Sequence, residues 1–323
     1  MELIDHLKKL YTTELKAELK ILEAQRKKVL GIHAITGITL IAGIPLFIYS
    51  FQGNHTHYIQ TIFGAFLVVF SLVYHLKNSK HHKQYKTQYK HKIISKIINL
   101  IDPTWTYDHL AHVKESQYRK SKIFKDKHDS FKGDDLVCGK IDKTDFCFSE
   151  LQTQYTEEYQ TKEGTKTRTI TIFNGLFVHI DFNKHIKKNT FVLPDFSERY
   201  FGKWGKKFQS DTSHGKIVNL ENPEFEKYFV VHSKDPIEAR YILTPAMMEA
   251  IVTIRKKYDT KLYISFVDSR VYIAIGFYKP LFEPNILKRG NSYKNIEEVF
   301  NYLNLISVII KEMNLNTRIW TKK

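Results

Sequence analysis

The fold is decided near the N-terminus by the stretch LGIHAITGITLIAGIPLFIYSF, which runs from Leu30 to Phe51. A second stretch, YIQTIFGAFLVVFSLVYHL, runs from Tyr58 to Leu76. Neither contains Lys, Arg, Asp or Glu, and a helix needs about 20 such residues to cross a bilayer. Both are apolar on all sides, whereas the core helix of a soluble protein normally keeps one polar face. The sequence therefore predicts a transmembrane helical hairpin over residues 30–76.

The charges around this hairpin predict its orientation. Arg26, Lys27 and Lys28 precede the first stretch, lysines from Lys77 onward follow the second, and the connection QGNHTH (residues 52–57) has neither Lys nor Arg. Because loops rich in Lys and Arg stay in the cytoplasm, we expect both termini there. Lys far outnumbers Arg and Ile and Asn are abundant, a composition typical of an AT-rich bacterial genome, so the expected location is a bacterial inner membrane.

Composition supports an ordered protein with a large soluble part. Of the 323 residues, 42% are hydrophobic and 14% aromatic, which is enough for a packed core. The net charge is +16, and much of the excess lies between Lys77 and Lys127, directly behind the hairpin. That placement favours topology control or anionic lipid over nucleic acid. The two cysteines, Cys138 and Cys147, are predicted to be free thiols in a reducing compartment, with a single bridge as the alternative.

Four regions follow from these patterns. We predict an amphipathic cytoplasmic helix over residues 1–29, the hairpin over 30–76, basic juxtamembrane helices and a linker over 77–130, and a soluble domain over 131–323. The juxtamembrane region includes a second helix expected from about Thr106 to Phe124. The soluble domain mixes strands and helices that are partly segregated along the chain, so it is predicted to be α+β with a mainly antiparallel sheet and packed helices.

Local signals within the soluble domain are specific. Asp235 and Thr244 each precede a proline, as N-cap residues do at the start of a helix. Asp268-Ser269-Arg270 lies between two apolar runs and predicts a hairpin. Asn174-Gly175 divides the strand-like stretch Thr167–Phe182, which is compatible with either a tight turn or a bulge in one long strand.

A first candidate site is the basic stretch behind the hairpin. Juxtamembrane lysines attract anionic lipid headgroups, and tyrosines among them are typical of anchors at the membrane interface. The alternative is that the lysines only fix topology. The candidate lipid-binding residues are Lys77, Lys80, Lys83, Lys86, Lys90, Tyr85 and Tyr89.

Two further candidate sites lie in the soluble domain. Asp235, Glu238 and Arg240 either line a ligand site or form a helix cap in which Arg240 pairs with a carboxylate. Trp204, in the basic and aromatic loop RYFGKWGKKF (residues 199–208), is a ligand-binding candidate, with a surface loop as the alternative. A metal site is the alternative interpretation of four residues, Glu221, Glu224, Glu226 and His232. Their irregular spacing favours solvated acids. No metal or cofactor is predicted.

Several stretches resemble an uncharacterised bacterial membrane-protein family, domain of unknown function 3137. They are residues 133–139 (GDDLVCG), 148–151 (FSEL), 172–177 (IFNGLF), 220–226 (LENPEFE) and 235–245 (DPIEARYILTP). The resemblance implies no activity. It does imply a partner, because members often lie beside genes for LemA-type membrane proteins.

Function is predicted mainly from this architecture. The chain has no phosphate-binding loop and no HExxH or GxSxG motif. We therefore expect a two-pass membrane protein whose cytoplasmic α+β domain binds a protein partner or anionic lipid headgroups, as part of a membrane complex. The alternative is a membrane-tethered metal-dependent hydrolase or nuclease that uses carboxylates such as Glu221, Asp235 and Glu238.

Overall fold

The computed structural model describes residues 2–51, 58–162, 164–181, 186–195, 214–277, 279–288 and 292–313. The chain divides into two compact units. We call residues 1–101 with 282–300 the helical unit, and residues 102–281 with 301–323 the sheet unit.

The helical unit is built on two long helices. Helix α1 (Glu2–Leu10) continues through a π-helical turn (Tyr11–Leu15) into α2 (Lys16–Tyr49). Helix α3 (Tyr58–Tyr89) continues through a second π-helical turn (Lys90–Ile94) into α4 (Ser95–Ile101). The limits predicted at residues 29 and 76 therefore fall inside continuous helices, because the polar ends simply extend the apolar spans.

Both helices are long and apolar enough to cross a membrane. Only 17% and 11% of their most apolar windows are buried in the protein, which is unlike the core helix of a soluble domain. Small residues bring the two spans together. A Cβ atom on Gly64 would lie 2.7 Å from the backbone nitrogen of Phe47, and one on Gly43 would lie 2.9 Å from Cβ of Leu67. The Ser71 hydroxyl also donates to the Thr36 carbonyl over 3.1 Å. Such close approach at small residues is typical of helix pairs in membranes.

The sheet unit contains one nine-stranded sheet in the order β1-β2-β3-β4-β9-β8-β5-β7-β6. The strands are β1 (Thr106–Asp108), β2 (Ser130–Ile141), β3 (Thr144–Thr161), β4 (Gly164–Asp181), β5 (Thr190–Pro194), β6 (Lys216–Ile217), β7 (Phe229–Ser233), β8 (Leu262–Val267) and β9 (Arg270–Gly276). Every pairing in the described residues is antiparallel. The predicted α+β class with a mainly antiparallel sheet is confirmed.

The helices after α4 are α5 (Glu115–Ser121), α6 (Pro223–Glu226), α7 (Pro236–Ile242), α8 (Pro245–Tyr258) and α9 (Tyr293–Glu312). Helix α5 contributes to an aromatic core on one face of the sheet. Tyr118 is buried there with Phe177 and Tyr272, and its hydroxyl bonds that of Thr153 over 2.9 Å. The predicted caps at Asp235 and Thr244 and the hairpin at Asp268-Ser269-Arg270 are confirmed.

Two local expectations are corrected, and one open alternative is decided. The helix expected from Thr106 to Phe124 is wrong at its start, where Thr106–Asp108 forms β1 beside β2. At Asn174-Gly175 the alternative of one long strand with a bulge is confirmed, because β4 continues through the dipeptide and its register with β3 shifts between Phe173 and Thr171. Gly175 is needed for close approach to β9: its φ is +152°, and a Cβ there would lie 2.0 Å from the Ile275 carbonyl oxygen.

The second correction concerns the cysteines, which form a disulfide rather than two free thiols. Cys138 on β2 and Cys147 on β3 are direct partners across the hairpin, with their Cα atoms 4.1 Å apart. A separation of nine residues gives no hint of this proximity until the register of the two strands is known.

Candidate functional site

The basic stretch behind the hairpin divides into two groups that differ in pairing. Lys77, Lys80 and Lys83 are exposed, and within the described residues they have no ion pair. Their spacing of three residues keeps neighbouring side chains close on the surface of α3. Lys27 and Lys28, which precede the first span on α2, are likewise exposed. These five residues are called the free lysines below.

The remaining four lysines of this stretch form ion pairs with three carboxylates. Lys86 and Lys90 both pair with Glu283, over 2.7 and 3.2 Å. Burial tends to raise the pKa of the Glu283 carboxyl, but hydrogen bonding and charge attraction from the two lysines outweigh it and keep that pKa below its usual value. Further along, two more lysines pair over 2.8 Å with carboxylates of the N-terminal helix, Lys92 with Glu18 and Lys96 with Glu14. These cations consequently stabilise the helical unit instead of facing lipid.

Tyr85 and Tyr89 lie in the interior of the helical unit, together with Ile93 and Ile97. Burial raises the pKa of the Tyr85 phenol to about 12 and also raises that of Tyr89. This placement differs from the expectation that both rings anchor the chain at the bilayer interface. Lys90 is buried as well, so the exposed part of the predicted lipid-binding set is Lys77, Lys80 and Lys83, with Lys86 partly exposed.

A wide apolar surface adjoins the free lysines. Ile38, Ile41 and Ile59 are 67%, 77% and 84% exposed, and Leu76, directly before Lys77, is 62% exposed. Soluble monomers rarely show contiguous apolar patches of this extent. The helical unit therefore combines exposed apolar side chains, which are suited to contact with lipid tails, with the free lysines at the ends of the apolar stretches.

Asp235, Glu238 and Arg240, called the Asp235 cluster here, belong to helix α7 and its N-cap. The Asp235 carboxylate accepts from the backbone nitrogens of Ile237 and Glu238 over 3.0 and 3.1 Å. The Glu238 carboxylate accepts from those of Lys187 and Lys188 over 2.9 and 2.7 Å, so it fixes the segment before β5.

Arg240 donates to the main-chain oxygen of Asn219 over 3.3 Å. This corrects the expected pairing with a carboxylate. All three polar side chains of the cluster thus contact the main chain.

The acidic residues considered for metal binding are engaged separately. Glu224 pairs with Lys256, Glu226 accepts from the Leu220 nitrogen over 2.7 Å, and Glu221 is exposed, whereas His232 is buried. Across the part of the chain that the structure describes, no group of three potential ligands converges on one point. Trp204 lies outside the described residues, so its role stays a prediction.

Sequence reasoning missed two features of the helical unit. The first is Glu283, which lies far along the chain from the lysines that it pairs with, so only the tertiary structure reveals it. The second is a contact among His33, His75 and His82. The sequence does contain a signal for this histidine contact, because two of the three histidines lie inside otherwise uncharged apolar stretches, where polar residues are rare.

Comparison with known protein families gives a match in the second half of the chain. Residues 171–315 match the family described as protein of unknown function, DUF3137. The resemblance read from the sequence is thereby confirmed for this region, which holds β5–β9 and most of β4. The family carries no assigned activity, and no curated protein matches the chain.

One solved structure is similar to this chain at a low level. It is the crystal structure of the mycobacterial trehalose monomycolate transport factor A, TtfA. The alignment covers 66% of this chain and 92% of that chain, with 9% sequence identity and a TM-score of 0.32.

Proposed function

We propose that this chain is a two-pass protein of a bacterial inner membrane, with both termini in the cytoplasm, and that its free lysines bind anionic lipid headgroups. One observation carries the proposal: five lysines on the two long helices are exposed and, among the described residues, have no ion pair, while many apolar side chains of the same helices are also exposed. The five are Lys27, Lys28, Lys77, Lys80 and Lys83. The sheet unit is then held at the membrane surface, where it acts as a binding domain within a membrane complex. A LemA-type protein is the partner that the family resemblance suggests.

The pairing pattern sets the size of the lipid effect. Lysines near an anionic surface contribute about 1 kcal/mol each, so the five free lysines supply at most about 5 kcal/mol. Lys86, Lys90, Lys92 and Lys96 are left out of this sum because each of them is already in an ion pair.

The lipid experiment compares two triple variants of the full chain with equal losses of charge. The test variant carries Lys77→Gln, Lys80→Gln and Lys83→Gln. The control carries three substitutions of exposed lysines in the sheet unit, Lys216→Gln, Lys227→Gln and Lys234→Gln. Each protein is reconstituted in nanodiscs containing equal amounts of phosphatidylglycerol and phosphatidylcholine. The lipids that remain bound after extraction in mild detergent are then counted by native mass spectrometry.

We expect the wild type and the control to retain phosphatidylglycerol preferentially, and the test variant to lose that preference by at least tenfold. Removing about 3 kcal/mol is more than enough for this loss, since 1.4 kcal/mol corresponds to a factor of ten. An equal loss in both triple variants would show that only net charge matters. An unchanged preference in the test variant would refute lipid binding by these residues.

Orientation needs its own experiment because the sheet unit holds a disulfide. Disulfides persist mainly in oxidising compartments, whereas the distribution of lysines predicts a cytoplasmic location for this unit. Fluorescent protein and alkaline phosphatase are fused separately after Lys323 and assayed in intact cells. Fluorescence without phosphatase activity is expected. Phosphatase activity without fluorescence would show that the C-terminus lies outside the cytoplasm and would refute the proposed orientation.

A further inference from the structure

Three histidines of the helical unit meet at the junction between the apolar spans and their polar extension. His33 is on α2, and His75 and His82 are on α3, seven residues and thus about two helical turns apart. The ring of His33 lies 5.6 Å from that of His75 and 5.5 Å from that of His82, measured between centroids. His33 is therefore placed against both other rings.

Two ring nitrogens in this cluster are buried without a partner. Within the described residues, Nδ1 of His75 and Nε2 of His82 are shielded from solvent and form no hydrogen bond. Leaving a buried polar atom unpaired costs about 1–3 kcal/mol, so these atoms call for an explanation. A neutral imidazole has one donor and one acceptor nitrogen, whereas an imidazolium has two donors.

We propose that His33, His75 and His82 form a proton-binding site in which His33 carries the proton. As an imidazolium, His33 donates one N–H to His75 and the other to His82, once the rings have rotated into line. The two orphan nitrogens supply the two acceptors that the cation requires. The proton comes from solvent and no other bond is made or broken.

The charges around the cluster fit this assignment. His82 faces Lys86 on its own helix, His33 on α2 and Glu283 in the segment after the sheet. Burial is the main cause that lowers the pKa of His82, and Lys86 lowers it further while Glu283 opposes the effect. Burial and Lys86 thus disfavour the charged form of His82, and a neutral ring offers one acceptor nitrogen. Binding of the proton adds one positive charge close to the free lysines.

The test is nitrogen NMR of the full chain, labelled with ¹⁵N-histidine, in zwitterionic nanodiscs between pH 8 and pH 5. Single His→Gln variants assign the three ring signals. We expect all three rings to respond in one shared transition, and we expect His33→Asn to abolish the response of His75 and His82. The matched control is His81→Gln, next to the cluster on α3, which should leave the transition unchanged.

A second variant protects the test against misfolding. His82→Leu removes only one acceptor, so the transition of His33 and His75 should persist with its midpoint at a lower pH. Three independent transitions, or none between pH 8 and pH 5, would overturn the proposal. So would displacement of the ring signals by Zn²⁺ at pH 7.5 without any response to acid, since that result would identify a metal site.

Discussion

Replacing Glu283 with Gln should destabilise the helical unit by about 3 kcal/mol. Glu283 pairs with Lys90, whose side chain is only 5% exposed. Breaking a buried pair by removing one partner costs about 3–5 kcal/mol, because the remaining buried charge loses that partner's attraction. The low end applies here, because Lys86, at 40% side-chain exposure, turns to solvent at a cost below about 1 kcal/mol.

The matched control is Glu14→Gln, which breaks an ion pair of similar length at the surface. Lys96 and Glu14 are 34% and 52% exposed and lie 2.8 Å apart. Loss of such a pair costs about 1 kcal/mol or less. Unfolding of the detergent-solubilised full chain is followed by far-UV circular dichroism with rising temperature, and Glu283→Gln should lower the midpoint several times more than Glu14→Gln.

Rescue and pH dependence make the test specific to charge. Adding Lys90→Met to Glu283→Gln removes the second charge of this pair, so at least half of the lost stability should return. Because the pKa of Glu283 is held below its usual value of 4.5, its stabilisation is present above that pH and is lost as the pH falls below it. Glu283→Gln should lack this acid-induced loss. Equal effects of the two single variants, or no rescue by Lys90→Met, would refute a buried ion pair.

Three further predictions use contacts described above, each measured as the unfolding free energy or thermal midpoint of the full chain. Gly64→Ala should destabilise the pair of spans by about 1–3 kcal/mol through overpacking, while Gly37→Ala, where a Cβ has nothing within 4 Å, should have little effect; equal effects would contradict close packing at Gly64. Burial beside an arginine lowers the pKa of His179 to about 4, so protonation favours unfolding and stability should fall between about pH 6.5 and pH 4; His179→Gln should remove this slope. Asp235→Ala should cost about 1 kcal/mol through loss of the helix cap, whereas Asp235→Asn should be nearly neutral because Asn caps equally well.

The features predicted correctly from the sequence are those encoded by nearby residues. Two uncharged apolar stretches each predict a long apolar helix, and the dipeptides Asp235-Pro236 and Thr244-Pro245 predict two helix starts from residues close in sequence. The strand at Thr106 was missed, and the choice between turn and bulge at Gly175 stayed open, for the opposite reason. Both conformations are set by pairing with β2 and β9, and such pairing overrides local propensity.

The candidate lipid-binding surface shows the same limit within a single run of residues. Lys80 and Lys86 look alike in sequence, since both follow the second span and both have the helical spacing of a basic stripe. Only the position of Glu283, nearly two hundred residues further along the chain, separates the free lysine from the paired one. The burial of Tyr85 and Tyr89 could not be predicted either, because the segments that bury them are distant in sequence.

This division allows one basic stretch to serve two physical purposes. In the proposed function, the exposed lysines next to the apolar helices resist translocation and attract anionic headgroups. Four lysines one to four turns further on pair with three carboxylates, those of Glu283, Glu18 and Glu14, which reduces the repulsion between them. If all of these cations were free, their mutual repulsion would oppose folding of the helical unit. If all were paired, the helical unit would lack the exposed basic surface on which the proposed lipid binding rests.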